Sequence, residues 1–185
     1  AKSEQGAEVA KSEEGTQLAK TEESPQLNKS ADQGGSEVPR YETPHKPLSD
    51  KARRDLKQKL EQRTITKEEY EHLQWDRRFS NRRQRGVDRY WAQERRRLKN
   101  GESGTRNWTP EQREAILKGK KAPTFDGQPI EGHHKYNALD HPQLADDPRN
   151  IYPATDAEHL YRWHGGNYQN DTFGHPLDPF FPEQF

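Results

Sequence analysis

The stretch of residues 129–166 constrains the fold most, because five of the eight histidines of the chain lie within it. It follows a Thr-Phe pair and the dipeptide Asp126-Gly127, a composition typical of a tight hairpin turn. We therefore expect the adjacent residues His133 and His134 at or just beyond the end of a strand. Successive side chains of an extended strand point to opposite sides, so the two imidazoles should have different roles.

A helix is predicted after the loop that follows these histidines. Thr155 is a suitable N-cap, and Glu158 three residues later completes a capping box. The Gly-Gly pair at 165–166 supplies a stop, so the helix should cover about residues 156–164. This helix would carry two further histidines, one in its first half and one at its end.

The order of these residues resembles a known nuclease superfamily. The matching series is Glu131, His133 and His134, then Asn150 and Ile151, then His159 and His164. It is similar to the HNH/endonuclease VII superfamily of ββα-metal (His-Me finger) nucleases, specifically the GHH-type toxin domains of bacterial polymorphic toxins, and to the related nuclease colicins. The resemblance covers roughly residues 107–175.

The resemblance implies a catalytic role for three of these side chains. His134 would be the general base that takes a proton from the attacking water, which suits imidazole because its ordinary pKa lies near neutral pH. Asn150 would orient this base through its own hydrogen bonds, whereas the matching asparagine in the endonuclease VII branch ligates the metal. Glu131 would be a further acidic group at the site.

The resemblance also implies that His133, His159 and His164 hold one divalent cation, with Mg²⁺ expected and Zn²⁺, Ni²⁺ or Mn²⁺ as alternatives. His159 and His164 are five residues apart, so they would point about 140° apart on a straight helix at ~100° per residue. Either the helix tightens or bulges near Trp163, or His164 has left the helix and contacts phosphate. We therefore rank His159 above His164 as a ligand.

Composition limits the rest of the chain to a small core. Hydrophobic residues make up 26% of the sequence and charged residues 34%. Cysteine is absent, which excludes disulfides and Cys-based zinc ribbons. No apolar run approaches the ~18 residues that a membrane span needs, and the start without Met fits a fragment.

Residues 1–47 are predicted to be a disordered linker. The segment repeats with a period of nine residues, as AKSEQGAEV, AKSEEGTQL and AKTEESPQL. Each copy has too few apolar groups to offset the entropy of ordering. A linker between a carrier and a C-terminal toxin would have this composition.

Residues 48–106 are predicted to form a basic helical segment, with 19 basic and 10 acidic residues between positions 46 and 106. A capping box of Thr66 and Glu69 should start a helix that buries Tyr70, Leu73 and Phe79. Arginine favours bidentate phosphate contacts, so this segment is a candidate for binding the nucleic-acid backbone. A solvated helix face, or a surface for an acidic partner, competes with that interpretation. The candidate residues are Arg82, Arg83, Arg85, Arg89, Arg95, Arg96 and Arg97.

Another short helix is predicted next, with a capping box of Thr109 and Gln112 and an end at Gly119. Residues 115–117, Ala-Ile-Leu, should supply its buried side.

Together these patterns predict an α+β protein with a ββα-metal nuclease domain at residues 107–185. We expect metal-dependent hydrolysis of DNA with little sequence specificity. The resemblance further implies a secreted or translocated toxin with an N-terminal carrier, which acts in the cytoplasm of a target cell and is paired with an immunity protein. The same fold acting on RNA, and a non-catalytic module that binds DNA or metal, are the alternatives.

Overall fold

The computed structural model describes residues 38–185, so most of the predicted linker lies outside the described residues. Helices and small antiparallel sheets make up the described part, which confirms the α+β class. The elements are α1 (Asp50–Glu61), α2 (Lys67–Lys99), α3 (Pro110–Lys118), β1 (Thr124–Phe125), β2 (Gln128–Pro129), β3 (Glu131–His134), β4 (Ile151–Ala154) and a π-helix (Glu158–Trp163). Two single 3₁₀ turns, Pro142–Leu144 and Pro148–Asn150, lie in the connection between β3 and β4.

All three predicted capping boxes are present. In each one the threonine hydroxyl accepts from the backbone N–H three residues later, and the acidic or amide side chain there accepts from the threonine N–H. The pairs are Thr66 with Glu69, Thr109 with Gln112, and Thr155 with Glu158. Each helix start was therefore correctly predicted from four consecutive residues.

The helix α2 runs without interruption for 33 residues. Leu73 and Phe79 are buried as predicted. The prediction for Tyr70 was wrong, since this side chain is 42% exposed. Tyr70 lies in the first turn of α2, where α1 is the neighbouring helix, and α1 buries none of its own residues.

The main core lies between α2, α3 and the first hairpin. Its buried members are Leu98, Trp108, Ile116 and Ile130. Of the residues predicted to form the buried side of α3, Ile116 is 2% exposed but Leu117 is 38% exposed. Neighbouring positions on a helix point about 100° apart, so Leu117 faces away from the core that holds Ile116.

The histidine strand β3 pairs with β4 and not with the preceding hairpin. β1 and β2 do form the predicted hairpin, in which Asp126 and Gly127 both have positive φ, 46° and 76°. His133 lies opposite Tyr152, and His134 lies opposite Ile151. The sequence analysis expected a loop from these histidines to the helix that begins after Thr155, and it therefore missed β4 at the end of that loop. The long connection of residues 135–150 and the proline at 153 hid this strand.

The helix α2 packs directly against the histidine strand and the connection that follows it. A Cβ built on Gly132 in β3 would lie 2.8 Å from Cγ1 of Val87, and a Cβ built on Gly86 would lie 2.6 Å from the carbonyl oxygen of Ala145. Both glycines therefore allow a backbone approach that a larger residue would prevent. The helix α2 therefore supports β3 by packing against it.

The last part of the predicted linker contacts the connection between β3 and β4. The backbone N–H of Tyr41 donates to the carbonyl of Asp140 at 2.8 Å, and Nδ1 of His141 lies 3.1 Å from the carbonyl oxygen of Pro39. His141 is fully buried. The His141 imidazole therefore links the backbone around Pro39 to the connection between β3 and β4. It is not one of the histidines that the resemblance assigns to the site. Among residues 38–185, no helix is both long and apolar enough to cross a membrane.

Candidate metal centre and active site

Three histidines from two elements meet at one place. His133 is in β3, His159 is in the π-helix, and His164 directly follows that helix. Each offers a ring nitrogen, and these nitrogens all lie within 4.8 Å of one another. The ring centroids of the three pairs are 4.9, 5.1 and 5.0 Å apart. The three residues predicted to be metal ligands are therefore adjacent in space.

The π-helix explains how two histidines five residues apart share this place. The backbone N–H of His164 donates to the carbonyl of His159 at 3.2 Å, a hydrogen bond that spans five residues. Such a turn is wider than an α-helical turn, and it brings positions i and i+5 close together. The helix therefore bulges near Trp163, and His164, although it lies just beyond the last helical residue, remains next to His159. The geometric reason for ranking His159 above His164 therefore no longer holds.

Hydrogen bonds fix the orientation of both π-helix imidazoles. Nδ1 of His159 lies 3.1 Å from a carboxylate oxygen of Glu131, and Nδ1 of His164 lies 2.8 Å from the carbonyl oxygen of Asn170. A carboxylate or carbonyl oxygen can only accept, so Nδ1 carries the proton in each ring. Nε2 is then the unprotonated nitrogen of both. The contribution of Asn170 was not predicted, because nothing local in the sequence links it to His164.

The third imidazole is buried and lacks a partner. His133 is 5% exposed, and its Nε2 has no hydrogen bond to any residue of the described part of the chain. Burial lowers the pKa of His133 to about 2, and the neighbouring His159 and His164 add to this effect. Burial also lowers the pKa of His159, aided by His164 and opposed by Glu131. The lowered pKa values favour the neutral form of His133 and His159, and this is the form in which imidazole binds metal.

His134 lies next to this cluster but makes a different contact. Its Nε2 is 2.8 Å from the carbonyl oxygen of Ala145, so Nε2 donates and Nδ1 is the unprotonated nitrogen. Burial lowers the pKa of His134, the Ala145 carbonyl opposes this shift, and Arg83 adds to it. His134 is thus a neutral imidazole with a defined tautomer, which is the state a general base requires.

The side chain of Asn150 is connected to the His134 imidazole only through backbone groups. Its side-chain oxygen accepts from the N–H of Tyr136 at 2.8 Å, and its Nδ2 donates to the carbonyls of Tyr136 and Leu144 at 3.0 and 3.2 Å. Leu144 precedes Ala145, whose carbonyl holds His134. Asn150 therefore fixes the segment that orients His134, and its amide is engaged by backbone groups rather than directed at the histidine cluster.

All four of these histidines line one cavity of about 660 Å³. Arg83 of α2 lines the same cavity and has no ion pair among residues 38–185. Its positive charge contributes to the lowered pKa values of His133 and His134. The cavity therefore combines three clustered imidazoles, the separate imidazole of His134 and one arginine without an ion pair among residues 38–185.

The other candidate arginines differ in how far acidic residues neutralise them. Three of them converge on the carboxylate of Asp146, which accepts from Arg82 at 3.0 Å, from Arg89 at 3.3 Å and lies 3.9 Å from Arg85. Arg97 pairs with the buried Glu94 at 3.1 Å. The remaining two of the candidates have no ion pair in the described part of the chain; these are Arg95 and Arg96.

A buried ion pair that the sequence analysis missed holds the start of the π-helix. The guanidinium of Arg106 donates to both carboxylate oxygens of Glu158 at 2.7 Å, and the two side chains are 3% and 0% exposed. Arg106 also donates to the carbonyls of Pro153 and Phe185. The partners are 52 residues apart, so no local pattern could have revealed the pair. Glu158 precedes His159, and the pair therefore anchors the helix that carries His159.

Comparison with protein-family models gives a match over residues 73–155 to the GHH-signature-containing HNH/Endo VII superfamily nuclease toxins. The match begins within α2 and not at residue 107, in keeping with the packing of α2 on β3. It includes His133, His134 and Asn150 and ends before His159 and His164. The π-helix that completes the cluster thus lies outside the matched segment.

Comparison with curated proteins finds similar segments in very long proteins. The chain is 36% identical to Teneurin-3 of Mus musculus over 69 residues, which are 37% of this chain and 2% of that protein. It is 33% identical to Teneurin-m of Drosophila melanogaster over 86 residues, 46% of this chain and 3% of that protein. It is 34% identical to Teneurin-4 of Mus musculus over 70 residues, 38% of this chain and 2% of that protein. The chain thus spans a very small part of these relatives.

The family match is to the class that the sequence resemblance predicted. Residues 73–155 belong to the GHH-signature HNH/Endo VII superfamily of nuclease toxins.

Proposed function

We propose that this chain is a metal-dependent endonuclease that hydrolyses phosphodiester bonds of DNA with little sequence specificity. The observation that carries the proposal is the cavity in which the three-histidine cluster adjoins His134. The unprotonated Nδ1 of His134 is available there to take a proton.

The three clustered histidines fit a divalent cation. Three imidazoles converge, two of them are held by acceptors at Nδ1, and the third has a buried nitrogen without a hydrogen-bond partner among residues 38–185. Such a set, His133, His159 and His164, would bind one ion and leave positions open for substrate and water. The sequence analysis placed Mg²⁺ first, but Mg²⁺ prefers oxygen ligands. An all-imidazole set favours Zn²⁺ or Ni²⁺ over Mg²⁺ and Mn²⁺.

When bound, the cation would offset the negative charge that builds on the phosphoryl group and the leaving oxygen. The residues of the chain perform the proton transfer. Nδ1 of His134 takes a proton from a water molecule as the water oxygen attacks phosphorus. The bond between phosphorus and the leaving oxygen breaks, and the leaving oxygen takes a proton from solvent. The Ala145 carbonyl accepts from Nε2 throughout and stabilises the imidazolium that forms.

Two further groups support this step. Arg83 would bind a non-bridging phosphate oxygen, since it is charged, lines the cavity and has no ion pair among the described residues. Glu131 would keep His159 oriented through the hydrogen bond to Nδ1. Neither residue has to move a proton.

The choice of DNA as substrate rests on the chemistry of the site. RNA carries a 2′-hydroxyl that can attack the neighbouring phosphate, whereas DNA has no internal nucleophile. A base placed to activate water next to a metal site supplies what DNA hydrolysis needs. RNA cleavage by the same fold is the outcome that would replace this substrate assignment.

The proposed biological setting is based on the description of the matched family as nuclease toxins. A nuclease toxin damages any cell whose nucleic acid it reaches, so we propose delivery into the cytoplasm of a target cell by an N-terminal carrier and protection of the producer by an immunity protein. We also propose that residues 1–47 serve as the linker and residues 107–185 as the nuclease domain. Experiments should retain residues 48–106, because α2 packs on β3.

The test is cleavage of plasmid DNA and of total RNA by the purified full chain, with added divalent metal or chelator. We expect DNA cleavage that the chelator abolishes. His134→Ala should lose cleavage while it still binds one metal ion. Cleavage of RNA alone would change the substrate, and no cleavage by the wild-type chain with any of these metals would support a non-catalytic binding module.

A further inference from the structure

A second, smaller cavity of about 280 Å³ adjoins the histidine cavity. The two share Asp88, Trp91 and Ala122 in their walls, so they lie side by side, and we refer to them together as the groove. The groove runs from the histidine cluster along α2 to the C-terminal end of α3.

The far end of this groove is cationic. Arg95, Lys120 and Lys121 line the second cavity, and none of them has an ion pair among residues 38–185. Both lysines are exposed. Asp88 is the one acidic residue that lines this second cavity. It accepts a hydrogen bond from Gln84 at 2.9 Å and lies where the two cavities join.

Arg95 is held in place by the end of α3. Its Nε donates to the carbonyl of Ile116 at 2.9 Å, while its two terminal nitrogens make no hydrogen bond within the described part of the chain. A Cβ built on Gly119 would lie 2.0 Å from Nη2 of Arg95, so the guanidinium occupies the space that this glycine leaves. A fixed guanidinium with free terminal N–H groups is suited to bind a phosphate.

Trp91 lies between the two charged ends. It is partly buried and packs against Tyr90 and Trp108, with ring centroids 5.0 and 5.8 Å away. The remaining part of the indole lines both cavities. An aromatic side chain in a basic groove is the usual arrangement for binding a nucleic-acid strand, because the ring packs against a base while cations bind the flanking phosphates.

We propose that this groove binds the substrate strand beyond the bond that is cut, with a second phosphate held by Arg95, Lys120 and Lys121. The proposal rests on the proposed nuclease function for the placement of the first phosphate at Arg83. Asp88 repels phosphate at the junction, so the strand places a base or sugar there, against Trp91. The bound partner is one strand of nucleic acid.

The first experiment measures binding without cleavage. The dissociation constant of a labelled 20-nucleotide DNA strand is measured for the full chain carrying His134→Ala, over a range of salt concentrations. Adding Lys120→Gln and Lys121→Gln should weaken binding about tenfold and lower the slope of log Kd against log salt by about 0.7, since one phosphate contact is lost and each phosphate contact on a single strand contributes about 0.7. Lys118→Gln is the matched control, because Lys118 already pairs with Glu114 at 2.5 Å. It should leave Kd and slope within twofold of the parent values.

The second experiment asks whether the site acts during cleavage. The kcat/KM for the 20-nucleotide strand is divided by that for bis-p-nitrophenyl phosphate, which is too small to reach the second cavity. In the active chain the double lysine variant should lower this ratio about tenfold, through KM of the strand. An unchanged salt slope, or an unchanged ratio in a chain that cleaves DNA, would overturn the proposal. The binding result decides it even if the wild-type chain cleaves nothing, so failure of the groove and failure of the nuclease function give different results.

Discussion

The backbone N–H of His164 donates to the carbonyl oxygen of His159, and this five-residue hydrogen bond brings the two imidazoles to 5.0 Å between centroids. In an α-helix the same two residues would point about 140° apart at ~100° per residue. Single π turns within helices are rare and often occur at functional sites. The local widening of this helix is therefore the feature that allows the cluster to form.

The first prediction is that His159 and His164 contribute equally to metal binding. His159→Ala and His164→Ala should each weaken metal binding about 100-fold or more, since each ligand contributes several kcal/mol in a site with few ligands. Isothermal titration of the metal-free chain measures the effect. His175→Ala is the control, because the His175 ring is exposed and its one hydrogen bond among residues 38–185 is to the carbonyl oxygen of the neighbouring Pro176. A loss for His159→Ala without one for His164→Ala would mean that the bulge does not serve metal binding.

The second prediction concerns Glu131, which holds Nδ1 of His159 at 3.1 Å. Glu131→Gln should weaken metal binding about 10- to 100-fold, the usual effect of losing a group that orients a metal-binding histidine. The melting temperature should change little, because the carboxylate is largely exposed. Glu111→Gln, on the exposed side of α3, is the matched control. Unaltered metal affinity in Glu131→Gln would show that the hydrogen bond has no effect on the ligand.

The third prediction concerns the contact of Gly86 with Ala145. In Gly86→Ala the new Cβ would lie 2.6 Å from the carbonyl oxygen that holds His134, so this carbonyl has to move. We expect kcat to fall at least about tenfold while metal affinity is retained, and stability to fall by about 1–3 kcal/mol from overpacking. Ser80→Ala, on the exposed surface of α2, should change neither. A Gly86→Ala variant with normal kcat would show that the carbonyl does not position the base.

The fourth prediction concerns the buried pair of Arg106 and Glu158. Burial alone would raise the pKa of Glu158, but hydrogen bonds from Arg106, Gln184 and Thr155 hold it below the ordinary value of 4.5. A lowered pKa in the folded state stabilises the protein above the ordinary value, and this stabilisation is lost as pH falls through the folded-state pKa. Glu158→Gln should therefore cost about 3–5 kcal/mol at pH 7, because it leaves Arg106 buried without a charged partner.

Urea unfolding at pH 7 and at pH 3 measures this effect. The difference in free energy of unfolding between the wild-type chain and Glu158→Gln should shrink at pH 3, because this pH lies below the ordinary pKa of 4.5 and the carboxyl is therefore protonated in the unfolded chain, which favours unfolding. Glu183→Gln is the control, because its pair with Arg162 is long, 3.5 Å, and half exposed. A difference that stays constant between the two pH values would contradict the assignment.

Features of the fold that depend on neighbouring residues were predictable from the sequence. The box of Thr155 and Glu158 needs only four residues, and the turn at Asp126-Gly127 needs two, so both were found. β4 and the burial of Tyr70 were misjudged because each depends on which distant segment packs against it. Likewise, nothing near residue 106 in the sequence indicates that Arg106 pairs with Glu158.

The candidate site also contains some features that were predictable from the sequence and others that were not. The residue types and their order predicted the grouping of His133, His159 and His164, whose role as ligands stays a prediction. The five-residue spacing was recognised as a conflict with a straight helix, but the sequence could not decide between a bulge and a departure from the helix. The acceptors on His134 and His164 are backbone carbonyls, which every residue has, so no side-chain pattern could have identified Ala145 or Asn170.

The central claim is that one cation held by three imidazoles, next to His134, makes this chain a nuclease. The most direct measurement is a parallel titration of the metal-free full chain with Zn²⁺, Ni²⁺ or Mn²⁺, in which bound metal and the rate of plasmid cleavage are followed together. We predict that both rise in step and level off at one ion per chain. His133→Ala should abolish both, and His134→Ala should abolish cleavage alone. Cleavage at full rate by the metal-free chain, or by His134→Ala, would contradict the claim.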